Sequence, residues 1–232
     1  MAAITNRRRM MYGGGIRPPK FWWDGIEQYD GTHPTTTSWC DKISNLNIGR
    51  DYHSNGRFND KGMLSGNYAI YDMSPSENRT LTVESIVKAP SAISNAEGIF
   101  RQSYHANPGT NRWSWGFNSG KPFFWAYPGS ERKVFFATAI PSQFILGARN
   151  ALTITINKNI VSFYINGIKI GSSLTISGWQ LPTSRESYNY NLTMVAQPSG
   201  WEEFNGCKVW DTILSDEEIL LSSIESLNYY NS

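Results

Sequence analysis

The side chains here that could do chemistry are a few carboxylates, many indole rings and one basic cluster. Retaining glycoside hydrolysis needs two carboxylates about 5 Å apart on one surface. Glu84 lies in the alternating run Thr80–Lys88 with no second acid on its face. Glu202 and Glu203 are adjacent, so a strand would aim them to opposite sides. No nucleophile elbow, HExxH helix or phosphate-cradling glycine loop occurs. The expectation is a protein that is not an enzyme. Sugar binding asks for something else: open ring faces for stacking, with amide or carboxylate partners. Trp113, Trp115, Phe117, Phe123, Phe124, Trp125 and Tyr127 crowd one stretch of the chain. Core packing must absorb at least half of the nine tryptophans. Trp201, beside Pro198 and Gly200, and Trp179 fall in sequence that reads as loop. The candidate carbohydrate-binding residues are therefore Trp201, Trp179 and Trp125.

The other reactive groups are sparse. Cys40 and Cys207 are the only cysteines and lack the spacing of a zinc site, so they read as buried free thiols. His33, His53 and His105 are scattered through loop-like sequence. Arg7, Arg8, Arg9 and Tyr12 precede three glycines and Pro18-Pro19, so residues 1–20 read as an extended arm. Two readings of that arm stay open: an anchor that docks on a partner through these four residues, or a segment folded onto its own domain. The basic run is too short for nucleic acid, and 21 bases against 19 acids give a net charge of +2. No apolar stretch follows the arginines as an export signal would, and no run nears the roughly 18 residues of a membrane span. Neither nucleic acid nor membrane is an expected partner.

Short strands must position these residues. Charged residues are 17% and aromatics 14%, with serine, asparagine and threonine making up the polar balance. Such a chain can bury enough area to fold, and it lacks the Ala, Glu, Lys and Leu of helical repeats. Strand signals recur at Thr80–Lys88, Trp113–Phe117, Lys121–Tyr127, Lys133–Ile140, Leu152–Ile156, Ile160–Ile165, Ile168–Ile170, Asn191–Ala196 and Gly206–Trp210. Asn166-Gly167 predicts a tight hairpin turn with positive φ at both positions. Ser215-Asp-Glu-Glu218 predicts a capped helix start, and Ile219, Leu220, Ile224 and Leu227 predict its apolar face. Many short strands with one late helix predict an all-β sandwich of two antiparallel sheets.

Four stretches in order resemble the laminin-G-like branch of the concanavalin A-like lectin/glucanase superfamily. They are Ser38-Trp-Cys-Asp-Lys-Ile-Ser-Asn45, the strand Leu81–Lys88, the hairpin Val161–Ile170, and Phe204–Ile219 with its Leu-Ser-Asp-Glu-Glu-Ile helix start. The resemblance implies a jelly-roll domain over residues 21–232, with Trp39 and Trp210 beneath the loops that close it. It also implies two chemistries to look for. The superfamily's glycosidases resemble an E-x-D-x-x-E strand, which is absent here. Calcium binding would draw on Asp51, Asn55, Asn59 and Asp60, or on Asp24 and Asp30, but no D-x-D-x-D-G loop exists, so no metal or cofactor is expected. Modules of this kind are carried by bacteriophage virion surface proteins. The leading expectation is a head fibre, decoration or tail-fibre component at the virion surface. It would be a homo-oligomer, anchored through residues 1–20 to capsid or fibre proteins, with a surface glycan as a further partner. The alternative is a carbohydrate-binding, lectin-like module, and the third a degenerate glycosidase built on Glu84.

Overall fold

Alternation along Thr80–Lys88 sets Leu81, Val83, Ser85 and Val87 on one side and Thr82, Glu84 and Ile86 on the other. In most half-buried strands the second set would face water. Here both sets are buried, so the strand is covered on two sides. The computed structural model describes residues 15–24, 39–40, 47–50, 57–59, 62–70, 77–91, 99–103, 113–118, 121–137, 142–183, 191–196 and 201–232.

In chain order the strands begin with β1 (Phe21–Asp24), β2 (Trp39–Cys40), β3 (Asn47–Arg50), β4 (Arg57–Asn59) and β5 (Gly62–Ile70). Next come β6 (Thr80–Lys88), β7 (Phe100–Ser103), β8 (Trp113–Asn118), β9 (Lys121–Ala126) and β10 (Lys133–Phe136). The series closes with β11 (Arg149–Asn157), β12 (Ile160–Ile165), β13 (Ile168–Thr175), β14 (Asn191–Ala196), β15 (Glu203–Trp210) and the helix α1 (Asp216–Asn231).

Two antiparallel sheets result. One runs β13-β12-β11-β6-β15, with β1 along the far side of β15. The other runs β10-β9-β8-β7-β14-β5, with β3 beside β5 and β2 beside β3. Strand β5 belongs to both: Met63 pairs with Phe204 of the first sheet, and Gly66–Ile70 pair with Leu192–Ala196 of the second. This is the expected jelly-roll sandwich with a short late helix. Phe21, Trp23, Trp113, Trp115, Phe124 and Phe163 are buried between the sheets. Trp115 of one sheet stacks on Phe163 of the other, with ring centroids 6.2 Å apart. Each such ring removes roughly 150–250 Å² from water.

Local signals hold where the strands turn. Asn166 and Gly167 sit at φ 51° and 81°, as a two-residue hairpin turn requires. A Cβ on Gly167 would lie 2.7 Å from the Leu220 backbone, so the turn also needs glycine to let the helix approach. Ser215 caps the helix: its hydroxyl accepts from the Glu218 amide at 3.2 Å, and Glu218 accepts from the Ser215 amide at 2.8 Å.

The buried face of the helix corrects the expectation. Ile219 is buried, but Leu220 and Ile224 are 40% and 47% exposed. The buried set is Ile219, Ser222, Ser223, Ser226 and Tyr230. Its spacing is helical, yet its middle is hydroxyl, which an apolar template passes over.

Residues 15–20, the end of the expected arm, lie against their own domain. The Arg17 guanidinium grips Glu218 through two hydrogen bonds of 2.6 Å and reaches the Ile213 carbonyl and Thr212 hydroxyl. The Trp210 indole donates to the Arg17 carbonyl at 2.8 Å. Arg7, Arg8, Arg9 and Tyr12 lie outside the described residues. Among the described residues no helix is long and apolar enough to cross a membrane.

Candidate functional site

The two sheets turn very different outer faces away from the core. On the first sheet α1 lies across β6, β11 and β15. Glu84 of β6 and Lys208 of β15 point up at it and sit 3.5 Å apart, 1% and 5% exposed. Charges so buried are costly unless every partner is present. Here the helix supplies the partners. Ser222, Ser223 and Ser226 each donate to Glu84, at 3.0, 3.1 and 2.6 Å. Lys208 in turn donates to Ser226 at 2.7 Å and Ser222 at 3.3 Å. Glu84 is thus a structural carboxylate sealed beneath a helix, which is no place for an acid that must meet a substrate. Glu202 pairs with Lys88 at 2.8 Å, and Glu203 pairs with Arg149 at 3.0 Å and with the same Lys88 at 4.0 Å, so both acids are held by cations rather than set on opposite sides of a strand.

The rest of the helix is tied down by aromatic hydroxyls. Tyr164 of β12 donates to Asp216 at 2.8 Å; burial, then that carboxylate, raises its pKa. Tyr229 donates to Asp24 at 2.5 Å. Asp24, weighed above as a calcium ligand, is therefore fully buried in a hydrogen bond. Asp30, Asp51, Asn55 and Asp60 lie outside the described residues, and of Asn59 the backbone is described, at the end of β4. No cluster of three or more His, Cys, Asp or Glu suited to a metal exists among the described residues. Gly206 makes room for Tyr230, whose hydroxyl would lie 1.9 Å from an added Cβ. Cys207 is a buried free thiol whose pKa burial pushes up, while the Cys40 side chain lies outside the described residues.

The sequence candidates for sugar stacking separate sharply. Trp201 is 4% exposed and packs edge-on against Phe117 and Phe144, with centroids 5.8 and 6.1 Å away. Trp179 is 3% exposed and packs edge-on against Phe124 at 5.3 Å. Both rings belong to the core, so neither offers a face to a ligand. Both lie just outside strands, Trp179 after β13 and Trp201 before β15, and are core residues all the same.

Trp125 is different. Along β9 the inward residues are Pro122, Phe124 and Ala126, so Lys121, Phe123, Trp125 and the following Tyr127 face outward. On β10, Val134 pairs with Trp125 and Phe136 pairs with Phe123. On β8 the partners Ser114 and Gly116 are both buried, so this face is covered there and opens only towards β10. The result is a strip on the outer face of the second sheet in which Trp125, Tyr127, Val134 and Phe136 reach solvent, while Phe123, 6% exposed, is buried beside Phe136. Trp125 and Tyr127 are half-buried and meet edge-on at 5.8 Å. Val134 and Phe136 are 41% and 45% exposed. No described helix covers this face. Val134 and Phe136 were legible as strand residues, but which side of β10 faces solvent is settled by the pairing with β9.

A second concavity, of about 460 Å³, opens where the end of the helix meets the hairpin of β12 and β13; Lys88, Ile145, Arg149, Asn166, Leu227 and Asn231 line it. Its two cations are already neutralised by Glu202 and Glu203.

None of the known protein-family models matches the sequence, and no curated protein matches it. Solved structures do match by fold. The botulinum neurotoxin serotype D ligand-binding domain, solved in complex with N-acetylneuraminic acid, superposes with a TM-score of 0.59 at 13% identity, over 93% of this chain and 52% of that one. The binding domain of botulinum neurotoxin DC, solved with rat synaptotagmin II, gives 0.53 at 16% identity, over 90% and 52%. The binding domain of Paraclostridial mosquitocidal protein 1 gives 0.53 at 15%, over 82% and 49%. The chain thus spans about half the length of each of these three structures. At these identities the likeness is one of fold: a lectin-like β-sandwich, similar to binding domains. It does not single out the laminin-G branch or a virion.

Proposed function

We propose that the chain is a non-catalytic, lectin-like carbohydrate-binding module, and that the strip around Trp125 is where it binds. The observation that carries this is the pair of outer faces: one is sealed by a helix, and the other keeps Trp125 and Tyr127 half-open beside the exposed Val134 and Phe136 at the sheet edge. Aromatic side chains carried on a sheet give sugars a stacking surface at little entropic cost, because packing already limits their rotamers. That the similar structures are binding domains supports the same reading. A glycan array probed in parallel with wild type and Trp125→Ala tests it. Wild type should bind a restricted set of glycans, and the variant should lose them while keeping its melting temperature. A wild type that binds no glycan, or a variant that binds as well, would remove the reading.

The fibre or decoration role, with homo-oligomers anchored at a virion surface, is a second reading. With Arg17 docked on Glu218 of its own domain, the anchoring in this reading falls to residues 1–14. Deleting residues 1–14 should leave a folded domain that no longer joins its assembly. Unimpaired assembly would refute it.

A further inference from the structure

We infer that the aromatic strip takes an acidic glycan, with Lys121 and Arg132 holding anionic groups at its two ends. This rests on the glycan reading of the strip and adds the charge of the ligand. Lys121 begins the outward row of β9, two residues before Phe123, and is exposed. Lys133 pairs with Ala126, so one step further back along the register Arg132 comes beside Tyr127 at the other end. The row from Lys121 to Tyr127 spans six residues, or roughly 20 Å at about 3.3 Å per residue. Lys133, paired with the inward Ala126, lies on the other side of the strand, and Glu131 is the one carboxylate of this strand pair and its connection.

The placement of charge is uneven across the molecule. The helix on the opposite face carries Asp216, Glu217, Glu218 and Glu225 and no base. Lys88 and Arg149, at the crevice, are matched by acids. Lys121, Arg132 and Lys133 form no ion pair with any described residue. Two unmatched cations, Lys121 and Arg132, therefore border the aromatic row, while the helix on the far face adds only acids, of which Glu218 is paired with Arg17. Such a field concentrates anions at the strip and turns the other face away from them. Edge strands also carry lysines to discourage pairing with other chains. That protection needs charge of either sign, whereas holding an acidic glycan needs positive charge, which lets an experiment separate the two.

An array of matched pairs supplies the probes: carboxylated and sulfated glycans, each beside its carboxyl-reduced or desulfated counterpart. Wild type should bind the acidic member at least about tenfold more tightly at about 50 mM salt, and the preference should shrink at about 0.5 M as screening shortens. In the charge-reversed variant Lys121→Glu/Arg132→Glu the preference should vanish while neutral glycans still bind and the protein stays monodisperse. Equal binding of both members of each pair by wild type, or a preference that survives reversal, overturns the inference and leaves the glycan reading intact. No binding to any member removes both.

Discussion

The outer faces of the two sheets put polar chemistry to opposite uses. On the first, a full ion pair is spent internally: Glu84 and Lys208 are each satisfied by serines of the helix that covers them. On the second, Lys121 and Arg132 are left unmatched, and Trp125 and Tyr127 stay half-open. The contrast teaches that a buried carboxylate and an exposed ring must be judged by what covers them. Glu84, the carboxylate on which only the third, glycosidase reading rests, is a helix clamp in the fold. Trp125 looks like one aromatic among many and is the one sugar candidate with an accessible ring.

The largest effect should come from splitting the buried pair. Glu84→Ala leaves Lys208 charged and uncompensated, and should cost about 3–5 kcal/mol in urea unfolding. Glu84→Gln/Lys208→Met keeps an acceptor for the serines while removing both charges, and should recover part of that loss. Neither change should alter glycan affinity under conditions where the protein is folded. If Glu84→Ala were neutral, the helix would not depend on the pair.

Overpacking comes next. Gly206→Ala drives a methyl group into the buried Tyr230 ring and should destabilise by about 1–3 kcal/mol. Adding Tyr230→Phe removes the atom that is struck first and should restore some stability; additivity of the two losses would mean that the ring moves aside freely.

Trp125→Ala should do the reverse of both. Stability should fall by less than about 1 kcal/mol, since the ring lies outside the core. Glycan affinity should fall more than tenfold, as a central tryptophan in an interface commonly costs about 2 kcal/mol when truncated. A large stability loss with unchanged affinity would place the indole on the structural side of the comparison.

The smallest effect is at the start of the helix. The hydrogen bond from Arg17, then the Ser215 cap and the charge on Arg17, outweigh burial and hold the Glu218 carboxyl at about 2. A carboxyl depressed in the folded state stabilises above its unfolded value of about 4.5, and that contribution is lost as pH falls from there towards 2. Arg17 is 47% exposed, so solvent screening limits the contribution to about 1 kcal/mol or less. Glu218→Gln should therefore lower stability slightly at pH 7 and not at pH 2, read from urea midpoints. An equal loss at both values would point to the capping geometry rather than the charge.

Much of the fold was legible because its signals are local. The alternation of Thr80–Lys88, the Asn166-Gly167 turn and the Ser215–Glu218 box each depend on a few neighbouring residues. Strand β5 was not legible, since its glycines, serine and asparagine are poor strand formers, and pairing on two sheets overrides that preference. The serine stripe of the helix escaped because its purpose lies on Glu84 and Lys208, more than 130 and about 15 residues away along the chain. For the site, composition located the aromatic segment but could not separate ring from ring. Trp201 and Trp125 differ in what packs over them, and that is fixed by strand pairing far from either residue.

Amide hydrogen exchange on the intact chain, with and without the glycan bound best on the array, tests the central claim most directly. Binding at the open face predicts slowed exchange across β8, β9 and β10, from Trp113 to Phe136, with β15 and the helix unchanged. Protection confined to the helix and the Lys88–Arg149 crevice, or no glycan-dependent protection anywhere, would contradict it.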